Sequence, residues 1–236
     1  MFYEIQGPDR LIPMPVKTEF AELGGTPCYL FDPHNEAFKY WFERFYGSNA
    51  LVVHVDGHSD MADTVSAQLS PDQNIDIYTE YLQIDNFVCA AAHHQVVSKM
   101  YHLMYSYLGD GLRITKYDHL ETQVIDDTVL WQYDQYNPPR ATETELIEDV
   151  NTTQLPIIWD FDLDAFLCID EILDAEENYI AIARARIDDM MDFLSRLKRP
   201  DLVTIAQSTY PDEWTPRDYV DEIKDYFTYR LAELLQ

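Results

Sequence analysis

The two most apolar segments of this 236-residue chain have the length of β-strands, and each runs directly into alternating acidic residues. ALVVHV occupies residues 50–55, and PIIWDFDLDAF occupies residues 156–166. Continuous apolar runs of this length are typical of strands that are covered on both faces, as in parallel sheets. The chain is therefore expected to build a buried and mainly parallel sheet.

Extended and helical patterns alternate along the chain. Strands are predicted over residues 27–31, 50–55, 101–108, 156–166 and 201–208, with shorter β-structure within 112–133. Helices are predicted over residues 34–46, 85–100, 176–198 and 216–235. Residues 1–26 and 134–154 are predicted to be irregular, and 61–84 to be loop with a short helix. This order predicts one α/β domain over residues 1–236, with a three-layer α/β/α fold and a mainly parallel central sheet.

The polar residues of the two acidic segments fall at alternate positions, which face the same side of a strand. They are Asp56, His58 and Asp60 in the first segment and Asp160, Asp162 and Asp164 in the second. Carboxylates buried this close together repel one another unless a cation compensates their charge. Either segment alone is more often a surface turn. Two of them, both at the ends of the most apolar strands, where α/β sheets bind ligands, predict a metal site.

Residue chemistry narrows the choice of metal and of compartment. Carboxylates with some imidazole favour manganese, and in some sites zinc, iron or nickel. The three cysteines are scattered, with no CxxC pair, which argues against a thiolate zinc site and against a disulfide framework. We find neither a signal-peptide pattern nor an apolar run of about 20 residues that could cross a bilayer. A cytoplasmic location is expected.

The charge of the chain is strongly negative. It has 43 acidic residues against 16 Lys and Arg, a formal net charge of −27. Such a chain should repel nucleic acid and anionic membrane, so neither is expected as a partner. It should attract metal cations or a basic partner.

The acidic segments resemble motifs of the arginase and ureohydrolase superfamily. DGHSD at 56–60 is similar to the DAHxD motif of that family, and FDLDAF at 161–166 is similar to its FDVD motif. His34, in DPHNEAF, resembles the family's upstream histidine. The sequences VHVDGHSDM and WDFDLDAF are more similar to the motifs of a divergent short branch of the family. That branch includes the peptide arginases of ribosomal-peptide biosynthesis, which convert arginine side chains of a precursor peptide to ornithine.

The resemblance implies an arginase-like fold and a centre of two Mn²⁺ ions, with other divalent cations as alternatives. It implies that Asp56 and Asp162 bridge the two ions. His34 and Asp60 would complete the ligands of one ion, and His58 and Asp164 those of the other. Asp60 would also hand a proton to the leaving nitrogen. Asp160 is either a further residue that orients a ligand or a satisfied polar residue of the strand.

The remaining site residues are predicted less directly. His93 is predicted as a catalytic proton shuttle, with His94 as an alternative, whereas His54 is expected to be a core histidine. Asn86 is predicted to bind substrate or to cap a helix. The family's late glutamate is missing from Ala206-Gln207-Ser208, so Glu213, or else Asp212, is predicted to receive the guanidinium.

The implied function is hydrolysis of arginine side chains in a precursor peptide to ornithine and urea, by a chain that could form a homo-oligomer. The loop residues that grip the backbone of free arginine are missing, which fits a peptide substrate. Three alternatives remain. They are a small-molecule ureohydrolase acting on arginine, agmatine or a guanidino acid, a deacetylase-like amidohydrolase with one zinc, and an acidic binding protein that keeps the metal for stability.

Overall fold

The computed structural model describes residues 18–62, 65–66, 74–105, 111–126, 128–132, 138–171, 178–209 and 214–236. The helices are α1 (Ala37–Phe45), α2 (Ile75–Tyr81), α3 (Phe87–His93), α4 (Glu143–Thr152), α5 (Tyr179–Leu194) and α6 (Arg217–Leu235). The strands are β1 (Glu19–Leu23), β2 (Thr26–Phe31), β3 (Ala50–Val55), β4 (Val65–Ser66), β5 (Val97–Tyr105), β6 (Leu112–Tyr117), β7 (Thr122–Ile125), β8 (Thr128–Trp131), β9 (Ile157–Asp162) and β10 (Leu202–Ala206). Short 3₁₀ turns span His34–Glu36, Leu163–Ala165 and Ile169–Glu171.

Seven strands form the central sheet, in the order β1-β2-β10-β9-β3-β5-β6. The five inner strands are parallel to one another, and only the two outer strands pair antiparallel with their neighbours. Every residue of β3 and β9 is buried, which matches their continuous apolar sequences. Because the inner strands are parallel, their carboxyl ends all lie at one edge of the sheet.

Helices cover both faces of the sheet. Leu51, Val53 and Val55 of β3 pack in one core with α4, α5 and α6. Ala50 and Val52 point the other way, into a second core with α1, α2 and α3. The predicted α/β class with a mainly parallel sheet is therefore confirmed, and the two cores are compatible with three α/β/α layers.

A smaller three-stranded sheet, ordered β4-β8-β7, packs against α3. Val129 and Trp131 of β8 are buried and belong to the second core. The indole of Trp131 donates a hydrogen bond to the carbonyl of Met61, 2.8 Å away. This bond ties the small sheet to the segment that directly follows DGHSD.

Three secondary-structure predictions were wrong. The helix predicted over 85–100 ends at His93, and β5 already begins at Val97, because sheet pairing overrides the helical pattern there. The segment 134–154, predicted to be loop, contains α4, which a reciprocal capping box between Thr142 and Glu145 begins. The segment 1–26, predicted to be irregular, contains β1, which pairs antiparallel with β2. Among the described residues, no helix is both long and apolar enough to cross a membrane.

Candidate metal centre

The candidate site is built where strands end. Asp162 is the last residue of β9, and Asp56 directly follows β3, the strand that pairs with β9 in parallel. His34 lies three residues beyond the end of β2, in the turn that starts α1. These chain segments therefore meet at the same edge of the sheet, as expected for the carboxyl ends of parallel strands.

One group of side chains converges on the imidazole of His34. Its Nδ1 atom lies 3.1 Å from Asp60 Oδ2, 3.1 Å from Asp162 Oδ2 and 3.2 Å from Asp56 Oδ2. All four residues are buried, with 7% or less of their surface exposed. Ligands about 2.1 Å from a common ion lie roughly 3 Å apart when they are neighbours around it. The distances from His34 Nδ1 are compatible with ligands that share one ion.

A second group forms around His58. Its Nδ1 atom lies 2.8 Å from Asp164 Oδ2 and 3.7 Å from Asp56 Oδ1. Asp56 therefore offers one carboxylate oxygen to each group, which is the arrangement of a bridging ligand. Three groups of described residues are compact enough to hold a metal ion: His34 with Asp56 and Asp60, His58 with Asp56 and Asp164, and His34 with His54 and Asp160.

Unsatisfied atoms indicate that a cation fits this space. Five buried atoms here make no hydrogen bond within the described part of the chain: His34 Nδ1, His54 Nε2, Asp56 Oδ2, Asp60 Oδ2 and Asp164 Oδ2. Buried polar atoms nearly always have a partner, and an uncompensated buried carboxylate is strongly unfavourable. A divalent cation compensates both the missing contacts and the charge, so the buried His and Asp side chains are suited to hold metal.

The backbone of the DGHSD turn is shaped around these carboxylates. Gly57 donates its N–H to Asp164 Oδ1 at 3.0 Å, and His58 donates its N–H to Asp56 Oδ1 at 2.6 Å. A Cβ atom at Gly57 would lie 3.1 Å from Asp164 Oδ1, closer than an ordinary contact. Asp60 has a left-handed backbone, with φ of 50°. That conformation turns the chain so that the Asp60 carboxylate reaches His34.

Asp160 lies next to the cluster, and its carboxylate contacts two imidazoles. Its Oδ2 atom lies 2.9 Å from Nε2 of His34 and 2.7 Å from Nδ1 of His54. Its Oδ1 atom accepts a 2.6 Å hydrogen bond from Thr204, whose hydroxyl accepts one from Trp41. Of the two predictions for Asp160, orienting a candidate ligand is the one that this geometry favours. His54 is buried as expected, but it belongs to this polar network rather than to an apolar core.

Burial and mutual repulsion dominate the electrostatics of the cluster's carboxylates. Burial, followed by the charges of Asp60, Asp164 and Asp162, raises the pKa of Asp56 well above its usual range. Burial and the charge of Asp164 raise the pKa of Asp162 to about 6.

The histidines respond to the same carboxylates. The hydrogen bond to Asp164 raises the pKa of His58 to about 8. Burial opposes a charge on His34, but Asp160 and the other carboxylates outweigh it and raise the pKa of His34 well above 6.5. All of these shifts favour additional positive charge in the cluster.

Two further residues at the site were not predicted from the sequence. The hydroxyl of Ser208, which follows β10, donates to Asp162 Oδ2. His102 of β5 donates from Nε2 to the carbonyl of Asp56 at 3.0 Å, and burial, with the neighbouring His54, lowers the pKa of His102 to about 3. The only signal for His102 is its register opposite His54 in the sheet, which requires the strand pairing to be known.

Other predicted site residues lie elsewhere. His93 is at the far end of α3, beside Asn49 and Val97 at the amino ends of β3 and β5, so the structure does not bring it to the cluster as a proton shuttle. His94 contacts the Tyr78 hydroxyl at 3.0 Å instead. Asn86 precedes α3, and its Oδ1 accepts the N–H of Gln83 at 2.9 Å, a turn-forming role. Glu213 and Asp212 lie outside the described residues.

Comparison with known proteins leaves the chain unassigned to a family. No protein-family model matches it, and no curated protein matches it in sequence. The geometry of the cluster, and the residues that build it, are therefore the basis on which a function is proposed.

Proposed function

We propose that this chain is a hydrolase that uses two divalent cations, in the first place Mn²⁺, to cleave the guanidinium group of arginine side chains in a peptide. The products are an ornithine side chain and urea. The resemblance of DGHSD and FDLDAF to ureohydrolase motifs supports this reaction. The observation that carries the proposal is that two groups compact enough to hold a metal ion, one around His34 and one around His58, share Asp56.

The number of ions follows from charge and from the two groups. Asp56, Asp60, Asp162 and Asp164 carry four negative charges when ionised, which two divalent cations would balance. His34 would complete the first set of ligands and His58 the second, with Asp56 and Asp162 shared. Imidazole and carboxylate ligands without thiolates suit manganese.

The reaction needs an attacking water, a polarised carbon and a proton for the leaving nitrogen. Two bound divalent cations would supply acidified water as the nucleophile. A C–O bond then forms at the guanidinium carbon, and the C–N bond to the side chain breaks. Asp60, whose buried Oδ2 atom makes no hydrogen bond within the described chain, would pass the water's proton to the leaving nitrogen. Water and a protonated guanidinium thus yield urea and an ammonium group.

Two features favour a peptide as the substrate. A chain of net charge −27 attracts a basic peptide over long distances. The loop residues that would bind the backbone of free arginine are also missing from the sequence. An arginine within a peptide does not need its backbone to be bound in this way. An arginine-containing precursor peptide is therefore the proposed partner.

The test begins with the metal content of the purified full chain. Elemental analysis should give two manganese ions per chain, and Asp56→Asn should lose both because it serves both groups. Asp164→Asn should retain the ion at His34. Glu222→Gln, an exposed residue paired with Arg184, is the matched control and should retain two ions.

Activity is tested by mass spectrometry of arginine-containing peptides incubated with the manganese-loaded chain. Each hydrolysed arginine should lose one CH₂N₂ unit and release one urea. Faster hydrolysis of free arginine or agmatine would replace the peptide proposal with a small-molecule ureohydrolase. One zinc per chain with amide cleavage would indicate a deacetylase-like enzyme. Metal binding without turnover of any guanidine would indicate a binding protein.

A further inference from the structure

Five of the six proposed ligands are sealed from solvent, and the sixth is not. The side chain of His58 is 40% exposed, whereas the others are 7% exposed or less. Among the proposed ligands, His58 is therefore the one most open to contact by a molecule from solvent. The residues around this imidazole form the entrance of the site.

Trp214 forms a wall of that entrance. Its ring lies against the imidazole of His58, with centroids 4.7 Å apart and planes tilted by 58°. Trp214 itself is partly exposed.

Two hydrogen bonds hold the peptide unit that joins Trp214 to Thr215. The carbonyl of Trp214 accepts the N–H of Ile169 at 2.8 Å, and the next residue, Thr215, donates its N–H to Ser208 at 2.9 Å. Ser208 in turn donates its hydroxyl to Asp162. The indole is therefore fixed to the two loops that follow β9 and β10, next to the cluster.

We infer that Trp214 is a specificity-determining residue whose aromatic face receives the cationic guanidinium at the entrance. The inference rests on the proposed function and names the residue that selects its substrate class. A cation over an indole face is attracted by the ring, and a planar guanidinium also stacks on it.

A purely structural role for Trp214 makes a different prediction. If the indole only packs against His58, its removal should weaken the binding of metal and of every ligand alike. If its face receives a cation, its removal should weaken cationic ligands selectively. A pair of probes with the same shape and different charge separates these roles: butylguanidinium, which is cationic, and butylurea, which is neutral.

The experiment measures both probes by calorimetry on the manganese-loaded full chain. We expect Trp214→Leu to weaken the binding of butylguanidinium about tenfold, within the range of a cation–π contact, and to leave butylurea unchanged. Trp214→Phe, which keeps a smaller ring, should fall between the wild type and the leucine variant and guards against misfolding. Tyr229→Leu, which removes an exposed aromatic ring on α6, is the matched control and should change neither affinity.

Several results would overturn the inference. They are equal weakening of both probes, no change in butylguanidinium binding, loss of manganese from both Trp214 variants, and failure of the wild type to bind butylguanidinium.

The proposed function fails separately. Should binding of butylguanidinium depend on Trp214 while no guanidine releases urea, the entrance inference stands and the hydrolase proposal falls. If urea is released and Trp214→Leu leaves KM unchanged, the hydrolase proposal stands and the entrance inference falls.

Discussion

His34 and Asp160 are joined by a buried contact of 2.9 Å between Nε2 and Oδ2. Asp160 keeps its negative charge, because His34 and His54 outweigh the effect of burial and lower its pKa. The proton shared in this contact therefore lies on Nε2 of His34, which leaves Nδ1 facing the carboxylates of the cluster. A carboxylate behind a metal-binding imidazole fixes the tautomer and the ring orientation, and it strengthens the ligand.

Asp160→Asn should weaken the ion at His34 selectively. The amide keeps the shape of the side chain but loses the charge that holds both imidazoles. Loss of such a partner lowers metal affinity by about 10- to 100-fold. Manganese titration calorimetry should show one weakened site and one retained site, while Glu222→Gln keeps two. Two sites of unchanged affinity in Asp160→Asn would show that the contact does not orient a ligand.

Gly57→Ala should weaken the ion at His58. The added methyl group would lie 3.1–3.3 Å from the carboxylate atoms of Asp164, which could not withdraw without leaving the ion. Gly111→Ala is the contrasting variant, since its Cβ meets nothing within 4 Å but its φ of +82° is unfavourable for alanine. We expect Gly57→Ala to lower manganese affinity and Gly111→Ala to lower only the melting temperature. Identical behaviour of the two variants would contradict the proposed packing of the turn.

Without metal, the protein should lose stability as the pH rises. The folded pKa of Asp162 is about 6, above its ordinary value of 3.8, so folding is penalised increasingly as pH rises from about 4 and fully above 6. The folded pKa of His58 is about 8, above 6.5, so its stabilising contribution is complete below 6.5 and is lost as pH rises through 8. Both shifts have the same sign.

Bound manganese should remove this dependence, because the ions replace the protons. The difference in melting temperature between metal-loaded and metal-free protein should therefore widen from pH 5.5 to pH 8.5. Asp162→Asn, which cannot ionise, should flatten the pH dependence of the metal-free protein. A difference that narrows with rising pH would contradict the assigned shifts.

Thr142→Ala should destabilise the fold without changing manganese affinity. It removes the capping box in which Thr142 and Glu145 satisfy each other's backbone N–H groups at the start of α4. Loss of such a cap lowers the free energy of unfolding by about 1 kcal/mol. Thr152→Ala, near the end of the same helix, is the control and should change stability less. Urea unfolding, with manganese affinity as the second readout, checks both effects.

The sequence by itself determined the sheet and the candidate ligands. The apolar runs at 50–55 and 156–162 predict buried parallel strands, and the parity of the acids after them predicts which side chains share a face. Both are local properties of the chain, so they can be read without knowing the fold. His34 depended on the resemblance to a family motif, and the structure places it at the centre of the cluster.

Only the tertiary structure decided what surrounds those residues. His102, Ser208 and Trp214 reach the site from strands and loops far away in the sequence, through a register that no local pattern encodes. His93 was misplaced for the same reason, since helical spacing does not say which end of the sheet a helix terminus will face. Strand pairing and helix packing depend on contacts between residues that are far apart in the sequence. These contacts place Asp160 beside the two imidazoles and leave His58 as the exposed residue of the cluster.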